Sequence, residues 1–520
     1  MESYPLIAKT FQGLEGVLAQ ELTALGAQDV RKGNRVVHFT GDKEMMYRAN
    51  FELRTAVRIL KPLATFRATT ADEVYEQVKQ LDWTKYLSLK TTFSVDSVVY
   101  SEDFRNSKFV SYKVKDAIVD FFREQTGQRP NISVASPDIR FNMHISETEC
   151  TLSLDSSGES LHKRGYRQAS VASPINEVLA AAMIMMTGWQ GECDLIDPMC
   201  GSGTILIEAA MIARNIAPGI FRQHYAFEQW ADFDRDLLEK IYNDDSKERP
   251  FEHHIYGYDI DPEAIQAARR NVKASALGDI ISLDVQPLQK FTQPAEKAIL
   301  ITTPPYGERI SSPNLLGLYK TLGERLKHQF AGNEAWIIGY RPETFDQIGL
   351  RPSLKIELYN GSLNCEFRKY TLFSGQLEDF RSKGGIVKTR EERMRNAERK
   401  HLRPRRGPQF AALPDDRDSE IPDYVLRRHM EFVANEQREA RRAKRAEREE
   451  QRHGRQQERS EERPWGNHGY SHPRQENRSG RDNNGRSAYK QNRNFDKNNK
   501  NGGFRHSKPY KGGPGRGKKD

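Results

Sequence analysis

Cysteine is scarce in this chain: 520 residues hold only Cys150, Cys193, Cys200 and Cys365. They lie far apart, with no C-x-x-C pair and no histidines clustered beside them. That argues against a zinc site and against a disulfide framework, and it fits a reducing compartment. No apolar run approaches ~18 residues, so no segment reads as a membrane span. The opening residues, MESYPLIAKTF, lack the basic stretch and long apolar stretch of a signal peptide. No G-K-[ST] follows a glycine turn, which excludes a P-loop for nucleoside triphosphates. These absences lead us to expect a cytoplasmic protein with no metal centre and no membrane partner.

The charge is unevenly spread. The formal net charge is +9, yet residues 381–520 alone carry 38 Lys+Arg against 21 Asp+Glu, leaving the rest of the chain at −8. An appended polyanion-binding element is one reading of such a tail, and a solubilising one is the other. From about residue 451 it is Arg, Asn, Gly, Gln and Ser with single aromatics, too little apolar surface to offset ordering entropy, so disorder is expected. A polar helix is expected within EFVANEQREARRAKRAEREEQ.

Ahead of the tail the patterns change twice. Residues 1–50 alternate strand and helix signals, with Leu14, Val17, Leu18 and Leu22 at helical spacing and Asp42 as an N-cap. Residues 51–156 read as a second small α/β unit. Its clearest helix, SKFVSYKVKDAIVDFFREQTG, stops at Gly127 and precedes the alternating strands DIRFNMHIS and ECTLSLDS. Neither unit has a cluster of nucleophile, base and acid, so both read as binding or packing modules. Residues 157–380 then repeat strand and helix: CDLIDP, HIYGYDI, AILITTPP, AWIIGY and RKYTLF are short apolar strands. Such a pattern implies a doubly wound, mainly parallel sheet, whose ligands lie at the carboxyl ends of its strands.

Chemistry concentrates at three of those ends. In CDLIDPMCGSGTILIEAA a strand ends at Asp197, a turn with Gly201 and Gly203 follows, and a helix opens at Thr204. A dinucleotide turn needs a third glycine at position 206, which is Leu. An acid ahead of the turn repels phosphates and can pair with an ammonium group. This combination suits a cationic, amino-acid-like cofactor such as S-adenosylmethionine. In HIYGYDIDPEAI, Asp259 can accept both hydroxyls of a ribose, and Ile260 can pack on adenine. Asp284 or Gln286 lies near a third strand's end. A long insertion, beginning at NIAPGI, separates the first two motifs, and its aromatic residues suit either a substrate wall or packing. Finally, TTPPYGERI places Thr303, Pro304, Pro305 and Tyr306 just past a buried strand. Prolines lack an N–H, so this lip offers carbonyls. The Pro304 carbonyl can accept a hydrogen bond from an exocyclic amine, and Tyr306 can stack on an extruded base.

TPPYGER resembles the N-P-P-Y-G-E-R form of the signature of amino-methyltransferases acting on nucleic-acid bases. Together with LHKRGYR, ASPINEVLAAAM, DPMCGSGTILIEAAMIARNIAPGI and NGSLNCEFRKY, it is similar to the THUMP-containing guanine-N2 methyltransferases of 23S rRNA, over roughly residues 1–375. That resemblance implies a ferredoxin-like segment and a THUMP domain for RNA capture, then a Rossmann-like class I methyltransferase domain. It implies S-adenosylmethionine contacts at Asp197, Gly201, Gly203, Asp259 and Ile260, and a catalytic lip of Thr303, Pro304, Pro305 and Tyr306. Thr303 departs from the family's Asn or Asp, and its hydroxyl reaches less far. The longest bacterial relatives fuse a second methyltransferase domain; this chain has no second glycine turn or PPY, so one modification is expected. Lys163, Arg164 and Arg167 of LHKRGYR either contact the RNA backbone or salt-bridge a linker between domains. The expected function is methylation of a guanine N2 in 23S rRNA. A tRNA guanine-N2 methyltransferase and an inactive rRNA-binding assembly factor stay open.

Overall fold

The computed structural model describes residues 2–305 and 315–402, apart from 374, 376 and 383. Strands β1 (Tyr4–Lys9), β2 (Gln28–Lys32), β3 (Val36–Gly41), β4 (Arg58–Arg67), β5 (Thr92–Tyr100), β6 (Asn131–Ile132), β7 (Ile139–Ser146) and β8 (Glu149–Asp155) form one sheet, ordered β2-β3-β1-β4-β8-β7-β5-β6. Helices α1 (Glu15–Leu25), α2 (Lys43–Glu52), α3 (Ala71–Lys79) and α4 (Ser107–Thr126) pack with it. The local signals explain their ends. The Asp42 carboxylate accepts the Met45 N–H at 2.9 Å to start α2, and Gly127 closes α4 at φ +71, a conformation glycine adopts without a Cβ clash. The boundary expected near residue 50 falls inside α2. β4 pairs with β1 on one side and β8 on the other, so the sheet runs across both expected units without a break.

The remaining elements are α5 (Glu177–Thr187), β9 (Asp194–Asp197), α6 (Thr204–Arg214), α7 (Arg235–Tyr242), β10 (Ile255–Asp259), α8 (Pro262–Ala274), β11 (Ile281–Val285), β12 (Ala298–Thr302), α9 (Leu315–Gln329), β13 (Glu334–Gly339), α10 (Pro342–Gln347), β14 (Leu354–Asn360), β15 (Leu363–Thr371), α11 (Leu377–Ser382) and α12 (Arg390–Leu402). Their sheet is ordered β11-β10-β9-β12-β13-β15-β14. It is parallel from β11 to β13, with β15 antiparallel to β13 and to β14. Successive strand residues face opposite sides. Leu195, Ile299, Ile301, Trp336 and Ile338 accordingly enter one core, while Ile196, Leu300 and Ile337 enter another. Two covered faces explain why these strands are continuously apolar. This is the doubly wound, Rossmann-like sheet expected from the sequence.

The two sheets are tied together. Leu14, ahead of α1, is buried in the second sheet's core, and Tyr225, Phe227 and Trp230 of the insertion are buried in the first sheet's core. Phe227 stacks on Tyr47 at 4.1 Å between ring centroids. These three rings of the insertion are thus packing groups. Arg222 beside them donates to the carbonyls of Ser157, Glu159, Ser160 and Lys163. α12 lies against β14, so folded structure extends beyond the boundary expected at residue 380. The expected polar helix and the Arg/Asn/Gly-rich tail lie outside the described residues, as does Tyr306. Among the described residues no helix is long and apolar enough to cross a membrane.

Candidate active site

In the second sheet β9 is flanked by β10 and β12. The chain leaves β9 toward β10 and β11, then crosses back to β12 on the other side. The crevice at the carboxyl ends of β9 and β12 is therefore the topological switch point, where ligands of such sheets bind. Asp197 sits there, buried at the last position of β9. Its Oδ1 accepts from the Thr302 hydroxyl at 2.6 Å and from Met199 N–H at 3.1 Å. Both bonds fall on Oδ1, which leaves Oδ2 for a ligand. Burial, with the nearby Asp259 charge adding to it, pushes the Asp197 carboxyl up to about 7. A carboxylate held this way favours an arriving cation, which relieves the cost of its own charge.

The turn after Asp197 is built around two left-handed glycines, Gly201 at φ +53 and Gly203 at φ +80. They do different work. A Cβ on Gly201 would come no nearer than 3.7 Å to Val171, so this stretch of turn is open to a ligand. A Cβ on Gly203 would lie 3.2 Å from that of Ala268, so Gly203 also serves the packing of α6 against α8. The turn reaches the neighbouring strand through Asp259, whose Oδ2 accepts Gly201 N–H at 2.9 Å while Oδ1 accepts Asp261 N–H at 3.0 Å. Those two bonds orient the carboxylate and leave acceptor sites for hydroxyls. Burial raises the pKa of Asp259 as well.

Next to Asp259, Ile260 is 67% exposed, and Val285, paired with Asp259 in register, is 50% exposed. Two solvated aliphatic side chains thus stand at adjacent strand ends. Sequence reasoning missed Val285, although its position at a strand end beside the Asp259 strand was a usable signal. Asp284 is exposed on β11 opposite Tyr258. Its alternative, Gln286, commits its side-chain amide to the Lys290 carbonyl. On the far side of β9, Pro304 is buried and Thr303 and Pro305 are half-buried just past β12. From the end of β10 to the end of β12 is two strand spacings, roughly 10 Å.

The basic residues of LHKRGYR separate into two kinds. Arg164 is only 2% exposed; it pairs with the buried Glu208 and donates to the Leu161 carbonyl at 2.8 Å. Arg167 donates to Glu177 at 2.6 Å, to the Thr204 hydroxyl at 2.9 Å and to the Ser202 hydroxyl at 3.2 Å. Both guanidiniums are engaged within the protein, as in the salt-bridged reading of this stretch: Arg164 is a buried junction residue, and Arg167, half-buried, braces the glycine turn. The Thr204 hydroxyl accepts from Arg167 and keeps its own hydrogen to donate, and its backbone N–H lies at the first turn of α6. Lys163 is exposed and pairs with Glu159. A further brace is Asn271, buried on α8. Its side chain accepts from Gln168 and Ala169 N–H and donates to the carbonyls of Ala169 and Ser202. No motif signalled it, because a lone polar residue in a helix has no pattern.

Comparison with known proteins agrees with this fold. Residues 164–369 match the RMKL-like methyltransferase domain, residues 68–155 the THUMP domain and residues 5–60 the RlmL ferredoxin-like domain. A candidate RNA methyltransferase of Synechocystis sp. is 39% identical over 376 residues, spanning 71% of this chain and 97% of that protein. The ribosomal RNA large subunit methyltransferase K/L of Cellvibrio japonicus is 39% identical over 377 residues, 69% of this chain; the chain spans 50% of that longer relative. A crystal structure of a candidate methyltransferase complexed with SAH superposes with a TM-score of 0.65 at 30% identity. That match covers 72% of this chain and 100% of the other.

Proposed function

We propose, from the premise that this chain belongs to the family of THUMP-containing RNA methyltransferases with an RMKL-like catalytic domain, that it methylates the N2 amine of a guanine in 23S rRNA. The cofactor is S-adenosylmethionine. The observation that carries the assignment is the convergence of Asp259, the Gly201 turn, Asp197 and the Pro304 lip along three adjacent strand ends. In that order they suit a ribose, an open main-chain surface, an ammonium group and an amine to be methylated. The cofactor supplies an electrophilic methyl group on a sulfonium sulfur.

The chain's own residues then do the positioning. Asp259 accepts the ribose hydroxyls, Ile260 and Val285 take the adenine, and Asp197 pairs with the ammonium. The Pro304 carbonyl and the Thr303 hydroxyl accept hydrogens from the target amine, turning its lone pair out of ring conjugation. Proximity and orientation drive such an in-line displacement more than strong base catalysis does. The large-subunit substrate is supported by the 39% identity to the K/L relative; localisation in the cytoplasm follows from such a substrate.

Transfer of radiolabelled methyl to unmodified 23S rRNA is the expected result. Label on tRNA alone would move the substrate to tRNA. Label on neither, with cofactor still bound, would make the chain an rRNA-binding assembly factor. Mass mapping of the labelled base then checks the atom modified.

A further inference from the structure

A cleft of about 1030 Å³ lies between the two sheets. One wall is formed by Lys9 and Arg35 of the β1 and β3 region together with Tyr100 at the end of β5. The facing wall includes Tyr359 and the turn between β14 and β15. β15 runs antiparallel to β13 with Glu366 opposite Gly339, so that turn projects past the carboxyl end of β13. This is the edge that carries Asp259, Asp197 and Pro304. The cleft thus opens on that edge; Arg167, which braces the glycine turn, lines the cleft, while Asp259, Asp197 and Pro304 do not. The two halves approach closely through main chain: a Cβ on Gly13 would sit 3.3 Å from the Glu357 carbonyl of β14.

The lining chemistry selects an occupant. Two carboxylates border the cleft, Glu159 and Glu177, and both are already paired within the wall, to Lys163 and Arg167. Asp96 and Asp155 lie near Lys9, but Asp155 is held by Arg58. Lys9 and Arg35 enter no ion pair among the described residues, although Asp96 lies near Lys9 and Glu15 accepts the Arg35 main-chain N–H at 2.9 Å. The lining itself carries Lys9, Arg35, Lys163, Arg164 and Arg167 against Glu159 and Glu177, a positive excess. Tyr100 is 56% exposed beside them, its ring centroid 6.1 Å from that of His144. Unpaired cations next to a solvated ring are the two components of single-strand binding, which tracks phosphates and stacks bases. The volume is at the upper limit of small-molecule sites, about 1,000 Å³, and suits a length of chain.

We propose that this cleft carries a single-stranded RNA segment flanking the target base, with phosphates met by Lys9 and Arg35 and a base stacked on Tyr100. The inference rests on the RNA methyltransferase reading and adds the path of the substrate. It is tested in the full chain with a single-stranded oligoribonucleotide containing 4-thiouridine, cross-linked by light and mapped by mass spectrometry. Adducts on the peptides holding Tyr100 or Tyr359 are expected; adducts confined to residues 410–520 would overturn the proposal.

Kinetics supply the second arm. Tyr100→Ala, and separately Lys9→Gln with Arg35→Gln, should each raise KM for RNA about tenfold while kcat and cofactor affinity stay at wild-type values. Tyr100→Phe should restore KM, and the double substitution should flatten the salt dependence of binding by about 1.4 in log–log slope. Wild-type KM in both variants, with the parent protein methylating RNA, would sink the cleft assignment alone. A parent protein that neither binds nor methylates RNA would sink the underlying reading. Displacement of the RNA by polyglutamate at equal charge concentration would mark a general anion groove and also count against the proposal.

Discussion

Asp197 is buried at a strand end with Asp259 near it, and a carboxyl group so placed resists ionisation until a cation arrives. Its folded-state pKa of about 7 stands above the ordinary 3.8, so between those values the folded protein holds a proton that the unfolded chain has lost. Stability of the ligand-free protein therefore falls as pH rises from about 4 to about 7. A shift of this size corresponds to at most about 4 kcal/mol. Asp197→Asn should accordingly raise the ligand-free melting temperature at pH 7.5, by about 2–4 °C for each kcal/mol recovered, and abolish the thermal shift caused by S-adenosylmethionine. A lower melting temperature would contradict the assignment. In the parent protein an ammonium ligand needs Asp197 ionised, so affinity should weaken by up to about tenfold per pH unit below 7. Calorimetry at pH 6 in buffers of different ionisation enthalpy should detect the released proton. Asp259→Ala should eliminate cofactor uptake in the same instrument while RNA affinity stays near normal; equal loss of both would point to a folding defect. Thr303 tests the lip: Thr303→Asn restores an acceptor of longer reach and should raise kcat, whereas Thr303→Val removes one hydrogen bond and should lower it about tenfold.

The glycine turn, β9 and α6 act as a unit, and their bracing comes from elsewhere in the chain. Asn271 joins α8 to the segment at Gln168 and Ala169 and to the Ser202 carbonyl, so Asn271→Ala leaves buried donors and acceptors unpaired at about 1–3 kcal/mol each. The variant should lower both the melting temperature and cofactor affinity, although its side chain touches no ligand. Unchanged affinity would mean the turn holds its shape unaided. At this scale the sequence was informative wherever a local rule operates. Asp42 was legible as a cap, Gly127 as a stop, and Asp197 and Asp259 as strand-end acids, because each is set by its immediate neighbours. Arg164 and Arg167 stayed between two readings because burial is a tertiary property: the same KRGYR stretch would bind a phosphate if it were exposed. Thr302 gave no signal of its own, because nothing local says that its hydroxyl turns inward to Asp197. The insertion's aromatic rings were ambiguous for the same reason, since their partners, Tyr47 among them, lie about 180 residues earlier.

At the scale of the whole chain, charge is separated from catalysis: the net excess of Lys and Arg follows residue 381, whereas every group of the proposed site precedes it. Composition placed the division at residue 380, but α12 moves it. Glu392 of α12 pairs with Lys369 of β15 at 2.9 Å, and Asn396 donates to the Ser353 carbonyl at 2.8 Å. Lys369 pairs with Glu334 at the start of β13 as well, so α12 fastens the antiparallel edge of the catalytic sheet. Two truncations should therefore behave differently. Ending the chain after residue 409 should leave melting temperature, cofactor affinity and kcat unchanged, because every contact named here is retained. It should weaken RNA binding at 50 mM salt and flatten the salt dependence, since fewer phosphates are neutralised. Ending it after residue 384 should in addition lower the melting temperature by a few degrees, roughly what losing about 1–2 kcal/mol of contacts on β14 and β15 implies. Identical melting curves for the two would show α12 to be dispensable. A chain ending at residue 409 with no methyl transfer to 23S rRNA would place a catalytic requirement in the tail and undo the division between capture and chemistry.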